Sequence, residues 1–150
     1  MLASDTEAIT DVTRSRSKME LGSSIWWQLA LALGLGLLVG LERERTGHAT
    51  GIRTFTLITL FGSASGLLTQ FVGTWIVPAA LLTVAAILIA VRRTPTDEDG
   101  ERRHDSTTMV AAVVMFSVGA LLVFDYASIA VALGGTTAVL LHWKEPLHEF

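Results

Sequence analysis

The chain has 150 residues, no cysteine and a net charge of −3. Disulfides, thiolate catalysis and cysteine-ligated metals are therefore excluded, and the absence of a basic patch with interleaved aromatics argues against a nucleic-acid partner. Hydrophobic residues make up 51% and charged residues 17%, against about a quarter charged in soluble domains, and the mean hydropathy is +0.53.

Residues 1–24, "MLASDTEAITDVTRSRSKMELGSS", are polar and mixed in charge. They are expected to form a largely disordered tail, with at most a short interfacial helix near Thr13 to Leu21. A signal peptide would carry its apolar core nearer the start, so the first apolar run, Ile25 to Leu41, reads as a retained membrane helix continuing to Arg45. From Thr54 to Val91 there is no Asp, Glu, Lys or Arg. A surface helix of a soluble domain would charge its outer face, and the run is too long for one span of about 20 residues. It divides best at "QFVGTWIVP", where Gly73 loosens the chain and Pro78 suits a first helical turn. The second and third helices are thus expected over about 52–72 and 75–92. Charge-free runs return over 106–124 and 126–143, joined by a very tight connection at Asp125. A four-span alternative lays the third segment in the interface, but the run "VPAALLTVAAILIAV" favours five.

The prediction is an all-α polytopic helix bundle with five transmembrane helices. Orientation follows from Lys and Arg. One side holds Arg43, Arg45, Arg53, Arg92, Arg93, Arg102, Arg103 and Lys144, and the other only Arg14, Arg16 and Lys18. Positive loops stay cytoplasmic, which gives an N-out/C-in, multi-pass protein of the cell (inner) membrane, with the lipid bilayer as its first partner. Trp26, Trp27, Trp75 and Tyr126 fall at the outer interface and Trp143 at the inner one. The loop Arg92 to Asp105 reads as a solvated linker with an acidic centre.

Helices in lipid associate through small residues and a few hydrogen bonds. Gly36-xxx-Gly40, Gly62-xxx-Gly66 and Gly134-xxx-Ala138 offer such faces. Packing within the chain is favoured, and a homodimer or contact with another membrane protein is the alternative. A faint echo aligns "RTFTLITLFGSASGLL" with "TTMVAAVVMFSVGALL" at an offset of 54, which would make a parallel repeat.

The dense charge cluster Glu42 to Arg45 closes the first helix. Stop-transfer and topology account for Arg43 and Arg45. Glu42, the deepest of the four, and Arg53, one turn into the second helix, are less well explained, because acidic residues contribute little to orientation and an arginine at a helix N-terminus is disfavoured by the dipole. The expected answer is a Glu42–Arg53 ion pair locking the first helix to the second.

The stretch "GLGLLVGLERERTGHATGIRTFTLITLFGSASGLL" resembles the signature of the MgtC/SapB family of prokaryotic membrane proteins. A small-residue helix ends in Gly-x-Glu-Arg, and Gly-[Leu/Ile]-Arg-Thr opens the next, here Gly40, Glu42, Arg43, Gly51, Arg53 and Thr54. A Thr-Thr pair, Thr107-Thr108, opens the fourth helix. The tail "KEPLHEF" is similar to the end of this domain in a subgroup that carries a further membrane region. The third segment lacks the Gly-rich motif of the magnesium-stress members, and Met109 stands where the longer subgroup often has an acidic residue. The resemblance covers about 25–150. It implies magnesium-linked physiology, and its candidate site is Glu42, Arg43, Arg45, Arg53, Thr54, Thr107 and Thr108. No resident cofactor is implied beyond that link to Mg2+.

Other chemistry has little footing. "GHATG" lacks the Gly-Lys-Ser/Thr of a phosphate loop. His48, His104, His142 and His148 show no metal-ligand spacing, and no nucleophile triad is suggested, so an enzyme is not expected. Two functions stay open. One is transport of an inorganic ion. The other is a non-transporting membrane regulator or assembly partner that works by helix docking. The lack of carboxylates deep in any span favours the second.

Overall fold

The computed structural model describes residues 2–45, 51–93 and 106–143, with side chains over 24–45, 51–90 and 107–143. The acidic centre of the 92–105 loop, Arg102, Arg103, Lys144, His48, His104 and His148 lie outside the described residues. Among the described residues there are five helices: α1 Leu2–Arg45, α2 Ile52–Val72, α3 Ile76–Arg93, α4 Ser106–Val123 and α5 Ala127–His142. α1 begins at Leu2, where a largely disordered tail was expected. No proline interrupts that segment and its first glycine is Gly22. Ser24–Arg45 and Ile52–Val72 are each long and apolar enough to cross a bilayer, whereas the apolar parts of α3, α4 and α5 are shorter.

α1, α2, α4 and α5 form a ring, each touching the next, and α3 lies outside it against α2 and α4. Directions follow from individual contacts. A Cβ at Gly36 would meet Thr56 Cα at 2.8 Å and one at Gly40 would meet Ile52 Cα at 2.6 Å, so α1 and α2 are antiparallel. Gln28 bonds Asp125, just before α5, and Glu42 bonds His142, its last residue, so α1 and α5 are parallel. α3 lines Val77, Ala80, Leu81, Val84 and Leu88 against Phe116 and Ile58, so it packs lengthwise rather than across the end of the bundle.

The α2–α4 seam is the tightest. A Cβ at Gly62 would land on the carbonyl oxygen of Phe116, and one at Gly119 on that of Thr59. The glycine hydrogens that take those places point at carbonyl oxygens, a Cα–H···O contact found where helices approach closely. Ser63 Oγ donates across the seam to Gly119 O at 2.9 Å. The helices run parallel, but the echo at an offset of 54 is not the packing register. Gly62 faces Phe116 and Ala120, and Gly119 faces Thr59 and Ser63, so each contact has its mirror image between residues shifted by 57 positions. At an offset of 54 Gly62 pairs with Phe116, a small residue with a large one. Three further residues, nearly one turn, bring glycine opposite glycine.

Polarity is distributed as lipid demands. Trp26, Trp27, Phe71, Trp75, Leu82 and Leu140 are exposed, while Gln28, Arg43, Thr59, Ser63 and Thr137 are buried. A soluble protein does not expose apolar surface on this scale. The buried hydroxyls are mostly satisfied by their own helices. Thr59 donates to Phe55 O at 2.8 Å, Ser65 to Phe61 O at 2.7 Å and Thr137 to Leu133 O at 2.7 Å. Without water in a bilayer core, polar groups must find such partners inside the protein.

The α4–α5 corner explains the tight connection at Asp125. Asp125 has φ 64, the left-handed region, which Asp and Asn tolerate better than most residues. Tyr126 N–H then reaches back to Leu121 O at 3.1 Å, closing α4 with a 6→1 bond of the Schellman type. The Asp125 carboxylate, turned sideways by this geometry, accepts from Gln28 Nε2 at 2.9 Å.

Candidate functional site

The charged end of α1 is built on one helical stripe. Gln28, Ala32, Gly36, Val39, Gly40 and Arg43 are all buried, and they recur at the three- and four-residue spacing of one face. Gly36 and Gly40 let α2 approach. Arg43 continues the stripe at seven residues from Gly36, so its stem follows that face into the bundle. It is 2% exposed and is the largest fully buried side chain. Its Nε and Nη2 are buried without a hydrogen-bond partner among the described residues, although the residue as a whole is not unpartnered.

Glu42 points elsewhere. It follows Gly40 by two residues, about 200° around a helix of 3.6 residues per turn. With Gly40 on α2, Glu42 cannot face α2. It meets α5 instead, where His142 Nδ1–H donates to Glu42 Oε1 at 2.6 Å. The His142 side chain is 68% exposed and that of Glu42 19%. A neutral imidazole makes this bond, and an imidazolium adds charge to it.

Glu42 thus meets His142, where a pair with Arg53 was expected. Arg53 is exposed on the first turn of α2. Arg45 is exposed as well, Thr54 is half-buried, and so are Thr107 and Thr108 at the start of α4. The structure gathers Glu42, Arg43 and His142 at one end of the ring and leaves Arg53 and Arg45 at its surface. The packing glycines each have a place. Gly36 and Gly40 serve α1–α2, Gly62 serves α2–α4, a Cβ at Gly66 would meet Val123 at 3.2 Å, and one at Gly134 would meet Leu35 at 3.2 Å. All of these are contacts within the chain. Among the described residues no three His, Cys, Asp or Glu side chains are grouped to hold a metal ion.

Sequence reasoning missed two residues. His142 was grouped with scattered histidines, although it ends α5 on the same side as Glu42. Gln28 carried no weight, although it is polar at the start of an apolar helix.

Apolar outside, hydroxyl- and glycine-lined inside, with one buried arginine: these features define an α-helical membrane protein. A family model described as the MgtC family matches residues 29–150. The chain belongs to the MgtC family, membrane proteins related to magnesium homeostasis. No curated protein and no solved structure matches it.

Proposed function

We propose that this chain is a magnesium-linked membrane regulator that acts by helix docking, not a conduit for the ion. The observation that carries this is the buried charge. Among the described residues it is Arg43, a cation buried at the charged end of the ring. A divalent cation moving along the bundle would meet that charge in a medium of low dielectric, where repulsion is strong. Of the buried hydroxyls that could line a path, those of Thr59, Ser65 and Thr137 are spent on backbone carbonyls, whereas Thr56 Oγ1 has no partner among the described residues. Glu42 is engaged with His142.

In this reading all five helices span the cell membrane, N-out and C-in. The lengthwise packing of α3 on α2 and α4 supports its crossing with them. The helix directions bring Arg43, Arg45, Arg53 and the end of α3 to one face, with Trp26, Trp27, Trp75 and Tyr126 at the other. That asymmetry fits a cytoplasmic basic face. The partner is another membrane protein or a second copy of the chain.

The test has two arms. Reconstituted protein with verified insertion is assayed for Mg2+ entry, and flux equal to empty vesicles is expected. Saturable entry above that background overturns the regulator reading. In cells lacking the native protein, a magnesium-limitation phenotype is expected to be rescued by the wild type. Arg43→Met, at equal membrane abundance, is expected to fail. Full rescue by that variant removes Arg43 from the site.

A further inference from the structure

We infer that α5 is a hinged helix, pinned to α1 at its first corner and latched to it at its far end by Glu42 and His142. This holds whether or not the chain conducts ions. Among the described helices, α5 touches only α1 and α4. Its N-terminal corner is fixed twice, by the Tyr126–Leu121 backbone bond and by the Gln28–Asp125 bond at 2.9 Å. Its C-terminal end is tied to α1 by the side-chain bond of His142 to Glu42 at 2.6 Å. Between these points the seam is apolar and small. Gly134 rests on Leu35, and Thr137 bonds its own helix rather than α1. Close packing of small residues holds the middle of this seam, and polar bonds tie its two ends to α1.

The contrast with α2 and α4 is sharp. That pair interlocks through backbone at Gly62 and Gly119 and cannot slide without losing both contacts. The ring therefore has one half interlocked through backbone and another in which α5 packs on α4 and is tied to α1 by two polar bonds, of which one is a fulcrum and the other a catch. The catch lies on the exposed side of His142, where an aqueous ligand or a partner can reach it. Leu141 and Val39 belong to one buried cluster, so releasing the catch lifts Leu141 and uncovers the end of α1 that carries Arg43.

The absence of native cysteine permits spin-label pairs without background. Three pairs at exposed positions are needed in lipid nanodiscs: Arg45 with Trp143 at the catch, Trp27 with Ser128 at the fulcrum, and Leu57 with Val110 across α2–α4. His142→Leu and Glu42→Ala are each expected to widen the catch distance by about 5 Å, the end displacement of a helix of about 24 Å tilting through about 12°. The other two pairs are expected to stay put. The swap Glu42→His with His142→Glu is expected to restore the wild-type distance. In a separate labelling arm, Val39→Cys is expected to react faster with a maleimide in the His142→Leu background. An unchanged catch distance in both single variants overturns the proposal. So does equal widening at the fulcrum, which means α5 leaves as a whole, or widening across α2–α4, which means no half is fixed.

Discussion

Gly62 of α2 and Gly119 of α4 occupy equivalent places in one seam, each turned toward a carbonyl oxygen of the opposite helix. The contact is backbone on backbone, so no side chain can move aside to admit a methyl group. Gly62→Ala and Gly119→Ala are each expected to destabilise the bundle by about 1–3 kcal/mol, the usual range for overpacking. Because the first methyl already separates the helices, the double variant is expected to lose less than the sum of the singles. Gly34→Ala and Gly135→Ala, where nothing lies within 4 Å of the new Cβ, serve as controls and are expected to be neutral. Thermal unfolding in detergent micelles measures all five.

Thr56 and Thr59 sit one turn apart on α2 with opposite hydrogen-bond status. Thr59 donates to Phe55 O at 2.8 Å, whereas Thr56 Oγ1 is buried with no partner among the described residues. Exchanging a buried unsatisfied hydroxyl for a methyl of the same shape removes a desolvation penalty of about 1–3 kcal/mol. Thr56→Val is therefore expected to raise the unfolding temperature. Thr59→Val, which gives up a bond, is expected not to. If Thr56→Val is the more damaging of the two, the hydroxyl has a use that packing does not explain.

The five-helix architecture was legible because its signals are local. Charge-free runs set the number of helices, Gly73 the α2–α3 break, and Asp125 the α4–α5 corner. The site was half legible. Glu42 and Arg43 were singled out, but not the burial of Arg43 or the contact of Glu42 with α5. Topology offered a sufficient explanation for Arg43, and the link between helices suggested Arg53 as the partner of Glu42. Yet the angle was available in the sequence. If Gly36 and Gly40 face α2, Arg43 follows them and Glu42 turns away. What could not be read is which helix Glu42 turns toward, because that depends on the ring order of α1 and α5. The 57-residue register of α2 and α4 is set by backbone approach, which identities at an offset of 54 do not report.

Arg53 supplies the corresponding negative prediction. It is exposed on the first turn of α2, and surface substitutions away from special features usually stay within about 0.5 kcal/mol. Arg53→Gln is expected to leave stability and the α1–α2 distance unchanged. A matching loss in Glu42→Gln and Arg53→Gln, with rescue by charge exchange between them, would revive the direct pair.

Asp125 carries two separable duties, and a substitution series resolves them. Its left-handed backbone, φ 64, is costly for most residues, about 1–2 kcal/mol, and least so for Gly, Asn and Asp. Its carboxylate accepts from Gln28 at 2.9 Å, a kind of contact that averages about 0.6 kcal/mol between membrane helices. Asp125→Asn keeps both duties and is expected to match the wild type. Asp125→Gly loses the bond but relaxes the backbone, so the two effects largely offset. Asp125→Ala loses the bond and pays the full backbone strain, and it is expected to be the least stable of the three by about 1–2 kcal/mol. Gln28→Leu, which removes the bond from the other side, is expected to match Asp125→Gly in loosening the corner but not in backbone relief. Equal stabilities for the Gly and Ala variants would mean that the corner does not hold Asp125 in the left-handed region.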